Sequence, residues 1–412
     1  MSSLFLESLT SFLGLVWRTF ADRRCRPSPP ALLAMLAFLP IFALVQAIHW
    51  IGFLLDEILF RGYRKVAVRQ PVFVLGPPRS GTTLLHRVLA RDDQFTTMHT
   101  WECLFAPSVT QRRFWMALGR LDRWLGGYVG GAIERLERGL AGHLDAVHAV
   151  RLDAPEEDYL TLTPILACFI LVLPFPFSER LWRLGLFDQE IPEPTRSRIL
   201  AFYRANLQRH LYVHGSEKRL LSKNASFGAW VGGLRDSFPD ASFICCTRDP
   251  VETLPSQLSA VRGGVTLFDS ARGDRSRLNE RLTEVLAFHY RNLFQVLVPM
   301  ESKRRVFIPM DSLVVDLEGT IRNVYRLTRL ALSDDFQAVL REEAIANRRY
   351  RSRHHYDLAD EGLDTATVRS RFAPYYTWRE TGTVSSGVHG TAMAESQVYH
   401  SSDATAAETR SP

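Results

Sequence analysis

The chain has 412 residues, 46% of them apolar and 23% charged, which describes a globular protein long enough to bury a large core and excludes a wholly disordered or fibrous one. Its formal net charge of +6 is carried almost wholly by arginine, with only four lysines, and is spread along the sequence without a basic run interleaved with aromatics. That distribution argues against nucleic-acid binding, and a small anionic ligand accounts for part of the excess.

Residues 1–67 differ from the rest. From Ala31 to Leu55 runs a stretch of 25 residues without a formal charge, long enough as a helix to cross a bilayer at about 1.5 Å per residue. Pro40, Gln46 and His49 interrupt it, Asp56 and Glu57 close it, and basic residues flank both ends, so the positive-inside rule assigns no orientation. A secretory signal fits badly, because the apolar run is too long and begins too far from Met1. Three placements remain open: a helix lying in the membrane interface, a true span, or an apolar hairpin packed on the rest of the protein. Membrane association through residues 31–55 is the expectation.

Val72 to Leu75 reads as a buried strand, Gly76-Pro77-Pro78-Arg79-Ser80-Gly81 as a tight turn, and Thr83 to Arg91 as a helix with Leu84, Leu85, Val88 and Leu89 on one side. Strand, turn and helix start together make an anion site, because backbone N–H groups point out of the turn and the helix dipole favours negative charge. The Gly76 to Gly81 spacing is that of a nucleoside-triphosphate loop, yet Thr82 stands where the lysine for the terminal phosphates belongs. A donor with one phosphate and one sulfuryl group presents less charge, needs no metal clamp, and finds its single cation in Arg79.

Downstream, Glu102 follows a helix of about nine residues, roughly 14 Å, by a stretch long enough to return beside the loop. It is the candidate base, with His99 as the alternative and His86 as a helix-face residue. The acidic segment Asp153-Ala154-Pro155-Glu156-Glu157-Asp158 follows. Tyr159 to Phe177 lacks charge but is broken by Pro164, Pro174 and Pro176, and is expected to be a buried core helix followed by a turn. Arg219 to Ser222 reads as a strand ending at Lys223. Ser242 to Thr247 reads as another, with Arg248-Asp249-Pro250 at its C-terminal end and Ser256 eight residues after the arginine. An arginine fork and a hydroxyl at that separation can grip one phosphate monoester. Val306 to Met310 reads as a further strand. Five cysteines form an odd count without metal-ligand spacing, which favours free thiols in a reducing compartment and no metal site. The sequon at Asn224 is a chance match. Residues 379–412 read as a disordered tail.

The stretch from Pro78 to Thr83, with Arg248 and Ser256, resembles the 5′-phosphosulfate loop and 3′-phosphate motif of sulfotransferases that use PAPS (3′-phosphoadenosine-5′-phosphosulfate), in the form seen in tyrosylprotein sulfotransferases and their bacterial relatives. The resemblance covers roughly 69–378. It implies that Pro78, Arg79, Ser80, Gly81, Thr82 and Thr83 hold the 5′ side of PAPS and that Arg248 and Ser256 hold its 3′-phosphate. It also implies Glu102 as the catalytic base, Lys223 and Arg79 as the cations at the transferring group, and an acceptor-side role for the acidic segment. Lys223 keeps the family's lysine but not the proline that usually follows it. Met310-Asp311-Ser312-Leu313 lacks the aromatic that relatives carry before the acidic residue. Tyr356-Asp357-Leu358 through Leu363, and Phe372 to Tyr375, match the C-terminal pattern of the bacterial relatives.

The implied fold is α/β, a three-layer domain over 68–378 with a central, mostly parallel sheet and ligands at the C-terminal strand ends, preceded by the N-terminal apolar helical segment. The implied function is sulfuryl transfer from PAPS to a hydroxyl of an acceptor such as a lipid or glycan, without a metal, by a membrane-associated protein whose catalytic domain faces the cytoplasm. Two other classes compete: a P-loop nucleotide kinase, and a membrane-attached binding protein of the same fold without catalysis.

Overall fold

The computed structural model describes residues 2–22, 25, 27–141, 151–349, 358 and 361–382. Two helices open the chain, α1 (Ser2–Ala21) and α2 (Pro29–Leu59). They are followed by strand β1 (Val72–Leu75), helix α3 (Thr82–Leu89), strand β2 (Phe95–Thr96) and helices α4 (Thr100–Phe105), α5 (Val109–Trp124) and α6 (Tyr128–Ala141). Strands β3 (Arg219–Lys223), β4 (Ser242–Thr247) and β5 (Arg305–Pro309) complete, among the described residues, one five-stranded sheet of order β2-β3-β1-β4-β5. Every pairing is parallel. The strands are apolar on both faces, as a sheet covered on both sides requires.

Alternate residues sort cleanly into the two covering layers. Val72, Val74, Ile244, Cys246, Val306 and Ile308 join Leu85, Val88 and Leu89 of α3 and Ile321 and Val324 of the helix Leu317–Thr328 in one apolar cluster. Phe73, Leu75, Phe243, Cys245 and Phe307 belong to the other, larger cluster on the opposite face. Phe73 stacks on Phe243 at 5.6 Å, which fixes the two central strands side by side.

The larger cluster also contains Leu15, Met35, Leu39 and Phe53 of the first two helices, so the N-terminal segment packs into the same core as the strands. Asp56 anchors it. Both oxygens of Asp56 accept backbone N–H bonds from the start of α5, Val109 at 2.9 Å and Thr110 at 2.8 Å, and Oδ2 also accepts from Arg209 Nε at 3.0 Å. Arg209 in turn donates to the Tyr63 hydroxyl at 2.8 Å and stacks on the Phe53 ring. Both charged groups are fully buried.

Two sequence expectations change. The stretch after Asp158 is not a core α-helix; it forms two 3₁₀ helices, Asp158–Ile165 and Phe169–Val172, because Pro164 has no N–H and the following residues close only short-range bonds. The sequon residue Asn224 is wholly buried, its amide donating to Asp158 and its oxygen accepting from Tyr159 N at 3.2 Å, so it offers no glycosylation acceptor. Tyr356 and Asp357, like 383–412 of the tail, lie outside the described residues.

Breaking a buried pair leaves an uncompensated charge, a loss of about 3–5 kcal/mol. Asp56→Ala is therefore expected to lower the unfolding free energy by about that amount through the stranded Arg209 guanidinium, read by urea unfolding in detergent. A loss no larger than that of an exposed aspartate would mean that α2 does not anchor through this pair.

Candidate active site

The loop leaving β1 depends on two backbone conformations. Gly76 has φ +149°, and a Cβ there would stand 2.4 Å from the Cys246 carbonyl oxygen on the neighbouring strand. Gly81, φ +89°, is the N-cap of α3, and its carbonyl accepts from Leu85 N at 3.1 Å. Only glycine takes both positions without strain. Ser80 is buried and spends its hydroxyl on the Pro77 carbonyl at 2.7 Å, so its task is to hold the turn. Arg79 sits at φ +66°, a left-handed conformation that aims its side chain back across the sheet.

That aim joins the two motifs read from the sequence. Arg79 Nε donates to Ser256 Oγ at 3.1 Å, and Arg248 NH1 donates to the Arg79 carbonyl at 2.9 Å. Arg248 does not spend its charge on its neighbour Asp249. Asp249 instead caps the helix Pro250–Phe268, accepting from Val251 N at 2.9 Å, and accepts from the Tyr376 hydroxyl at 2.6 Å. Arg248 Nε pairs with Glu252 at 3.0 Å. Two guanidinium groups, one hydroxyl and the N–H groups opening α3 thus converge on one edge of the sheet. Thr82 is buried and Thr83 is exposed at the helix start.

Lys223 ends β3 opposite Val74 of β1, and its ammonium pairs with Glu157 Oε1 at 2.9 Å. The acidic segment therefore comes to the loop's neighbourhood through Glu157. Its last residue, Asp158, is buried under Asn224, Tyr203 and Ser222, all three donating to its carboxylate. Burial outweighs those donors and pushes the carboxyl up to about 6.

Glu102 is not an open carboxylate. It is the third residue of α4 and is fully buried. Oε1 accepts from Arg112 Nε at 2.8 Å and faces His214 Nε2 at 2.8 Å and His210 Nδ1 at 3.2 Å; Oε2 accepts from the His99 backbone N at 3.0 Å and lies 3.4 Å from His99 Nδ1. Burial alone pushes this carboxyl up, but the interactions of His210, His214 and His99 hold it well below the usual carboxylate range. Burial pushes His210 itself down, to about 4, against the attraction of Glu102, and Arg112 is the buried cation that faces the carboxylate. Glu102, His210 and His214 bring three ligand-type atoms within 4.8 Å of one another, with the Arg112 guanidinium already on the shared oxygen. Of the three imidazoles, His99 is the most open, 38% exposed against 25% for His214 and none for His210. His86 is buried and bonded to Thr97 Oγ1 at 2.7 Å; burial pushes it well down, and the charges of Lys223 and His99 nearby add to the effect.

A model of the sulfotransferase family matches residues 71–334. This chain belongs to the sulfotransferase family. Among curated relatives it is 26% identical over 265 residues to the omega-hydroxy-beta-dihydromenaquinone-9 sulfotransferase Stf3 of Mycobacterium bovis and to that of Mycobacterium tuberculosis. The alignment covers 64% of this chain and 63% of each relative, so the chain spans somewhat less than two thirds of their length. Its fold is that of the crystal structures of the sulfotransferase STF9 from Mycobacterium avium (TM-score 0.71, 18% identity, 93% of this chain and 97% of that one) and of STF1 from Mycobacterium tuberculosis H37Rv (TM-score 0.66, 20% identity, 89% and 92%). The α/β class with a parallel central sheet and the N-terminal apolar helix are as the sequence implies. Arg112, His210 and His214, the partners of Glu102, were not legible in the sequence, and Glu157 was read only as part of the acidic segment, not as the partner of Lys223. The four-residue spacing of His210 and His214 places both on one helix face, the single local signal available.

The raised Asp158 carboxyl gives a pH signature. A folded value of about 6 against an ordinary 3.8 means that the folded state prefers the protonated form, so this group's contribution to stability is full below pH 3.8 and lost as pH rises through 6. Asp158→Asn is expected to remove most of that slope between these pH values, measured as unfolding free energy against pH. An unchanged slope would place its origin elsewhere.

Proposed function

We propose that this protein is a PAPS-dependent sulfotransferase acting on a hydroxyl group of a membrane-borne acceptor. The observation that carries the reading is the contact of Arg79 with Ser256 and Arg248: a 5′-type loop and a 3′-type phosphate motif, far apart in sequence, share hydrogen bonds. The donor set suits PAPS, since two guanidinium groups and a hydroxyl match a phosphate monoester and a phosphosulfate. The close approach of Gly76 to the Cys246 carbonyl leaves no room for a Cβ there and fixes the path of the turn beside β4. Pro78 to Thr83 would hold the 5′ side and Arg248 and Ser256 the 3′-phosphate. PAPS supplies the activated sulfuryl group. Arg79 and Lys223 stand ready to meet charge developing on the transferring and leaving oxygens, with Glu157 holding the ammonium in place until then.

His99, the alternative to Glu102 in the sequence, then serves as the base: the open imidazole meets the acceptor hydroxyl and takes its proton, and the buried Glu102 carboxylate orients the ring and stabilises its charged form. The catalytic domain spans 68–378, the protein associates with a membrane through residues 31–55, and the domain faces the cytoplasm. Five buried free thiols and an apolar helix that is mostly uncovered support the last two points. The relatives' action on a hydroxylated menaquinone derivative supports an amphiphilic acceptor.

Calorimetric titration with PAP (the desulfated donor, 3′-phosphoadenosine-5′-phosphate), PAPS, ADP and ATP, with and without magnesium, separates this reading from a kinase and, with turnover assays, from a binding protein. Arg248→Ala is expected to weaken PAP about ten- to a hundredfold while leaving adenosine 5′-phosphosulfate nearly unaffected, the loss of one charge-assisted contact. Equal weakening of both ligands, or magnesium-dependent ATP binding tighter than PAP, would sink the assignment.

His99→Ala is expected to lower kcat by about 10² to 10⁴ with PAP affinity largely kept, and Glu102→Gln, which keeps an acceptor for Arg112 but removes its counter-charge, to lower kcat by a similar factor in the protein that remains folded. The relay fails if His99→Ala turns over at the parent rate or if its pH profile keeps the parent's acid limb.

A further inference from the structure

The N-terminal helix does not act alone. α2 is held to the domain along both halves, by Ala31, Met35 and Leu39 in the first and by His49, Phe53 and Asp56 in the second. His49 is bonded to Gln111 of α5 at 2.9 Å. A helix fixed to the domain at both ends lies along it and does not cross a bilayer without drawing the domain into the lipid. Its other face is open. Every exposed position from 31 to 55 is Leu, Ile, Ala or Pro, so the face carries no side-chain hydrogen-bonding group over some 37 Å at about 1.5 Å per residue.

The neighbours of α2 extend that surface. On one side α1 packs on it through Phe5–Trp50 and Phe12–Phe42 contacts and exposes Leu6, Leu13 and Trp17. On the other, α5 exposes Phe114, Trp115, Leu118, Leu121 and, at its last residue, Trp124 at 81%, and α6 opens on the exposed Tyr128. Arg120 and Arg123 are exposed among these rings. Apolar rows edged by tryptophan, tyrosine and arginine are the composition of a helix lying at a lipid–water boundary. A protein partner would need polar groups to meet, since such interfaces carry about one hydrogen bond per 100–200 Å², and the open face of α2 offers no side chain for one.

We propose that α1, α2, α5 and α6 together form a one-sided bilayer-binding face, with α2 lying in the plane of the membrane and the N-terminus on the same side as the catalytic domain. It rests on the membrane association proposed above and extends it from one segment to four helices and a defined orientation. The same helix α5 that holds Glu102 through Arg112 exposes Phe114 and Trp115, so one helix links the proposed lipid face to the candidate site. The acceptor then reaches His99 sideways from the bilayer.

The test uses the full chain diluted from detergent onto preformed phosphatidylcholine/phosphatidylglycerol vesicles, some with acyl-chain-brominated lipid. The protein should float with the vesicles, its tryptophan fluorescence should be quenched by the brominated chains, and W115F/W124F should reduce the quenched fraction about twofold. Ser3→Cys and Ala366→Cys should both react with an impermeant maleimide added outside, against a parent whose five cysteines are buried. Protection of Ser3→Cys alone would mean that α2 spans and overturns the proposal. Flotation with quenching unchanged in W115F/W124F would reduce the face to a single-helix anchor and also overturn it. Absence of flotation, with a stable dimer in detergent-free buffer, would mean that a second copy covers the face and would remove the membrane association itself. PAP titration of the same samples reports the sulfotransferase reading independently of all three.

Discussion

The pairing of β1 with β4 is the contact on which the candidate site depends. Register places Leu75 beside Cys245, so the chain leaves β1 at Gly76 and leaves β4 toward Arg248 at the same edge of the sheet. Two segments far apart in sequence are thereby set side by side with no dedicated bridging element. The cost falls on Gly76, which must pass within van der Waals contact of the Cys246 carbonyl. Parallel order does the rest: in an open α/β sheet the C-terminal ends of adjacent strands form one crevice, and Lys223, at the end of β3 on the other side of β1, falls into it.

Much of this was legible in the sequence wherever the signal is local. The β1 strand, the turn and the start of α3 lie within a score of residues, and their glycines and apolar run state the geometry directly. The placement of Arg248 at a strand end and of Ser256 in the helical segment after it was legible for the same reason. Glu102 was legible as a residue but not as an environment, because its partners come from α5 and from the helix Glu193–His214. Periodicity gives the face of a helix but not the distant side chain that face meets. The same limit explains α2. A run apolar on all sides does not reveal which side packs, and the decision rests on His49, Gly52 and Asp56, whose partners belong to α5 and to the helix carrying Arg209.

α5 emerges as the joint of the molecule. Its first turn is capped by Asp56 from α2, its second residue pair is bound to His49 and Glu102 through Gln111 and Arg112, and its remaining turns face solvent with large apolar groups. Two buried ion pairs, Asp56–Arg209 and Glu102–Arg112, fix its start from opposite sides. Such pairs add little net stability against apolar replacements of the same volume; what they constrain is the arrangement of the four helices that carry them, α2, α4, α5 and Glu193–His214.

The hub at Glu102 has a consequence for how this protein can change over evolutionary time. The same carboxylate closes the capping box of α4, neutralises a buried guanidinium and orients the imidazole at the candidate base. A lineage that drifts away from catalysis ordinarily sheds its reactive residues first, because they contribute little to folding or even oppose it. Here the fold itself resists that loss. A descendant that has stopped turning over substrate would still be under selection to keep Glu102 and Arg112, so their presence in a distant sequence reports an intact scaffold, and under the proposed mechanism the state of His99 and of the Arg79 loop is the better record of whether chemistry survives.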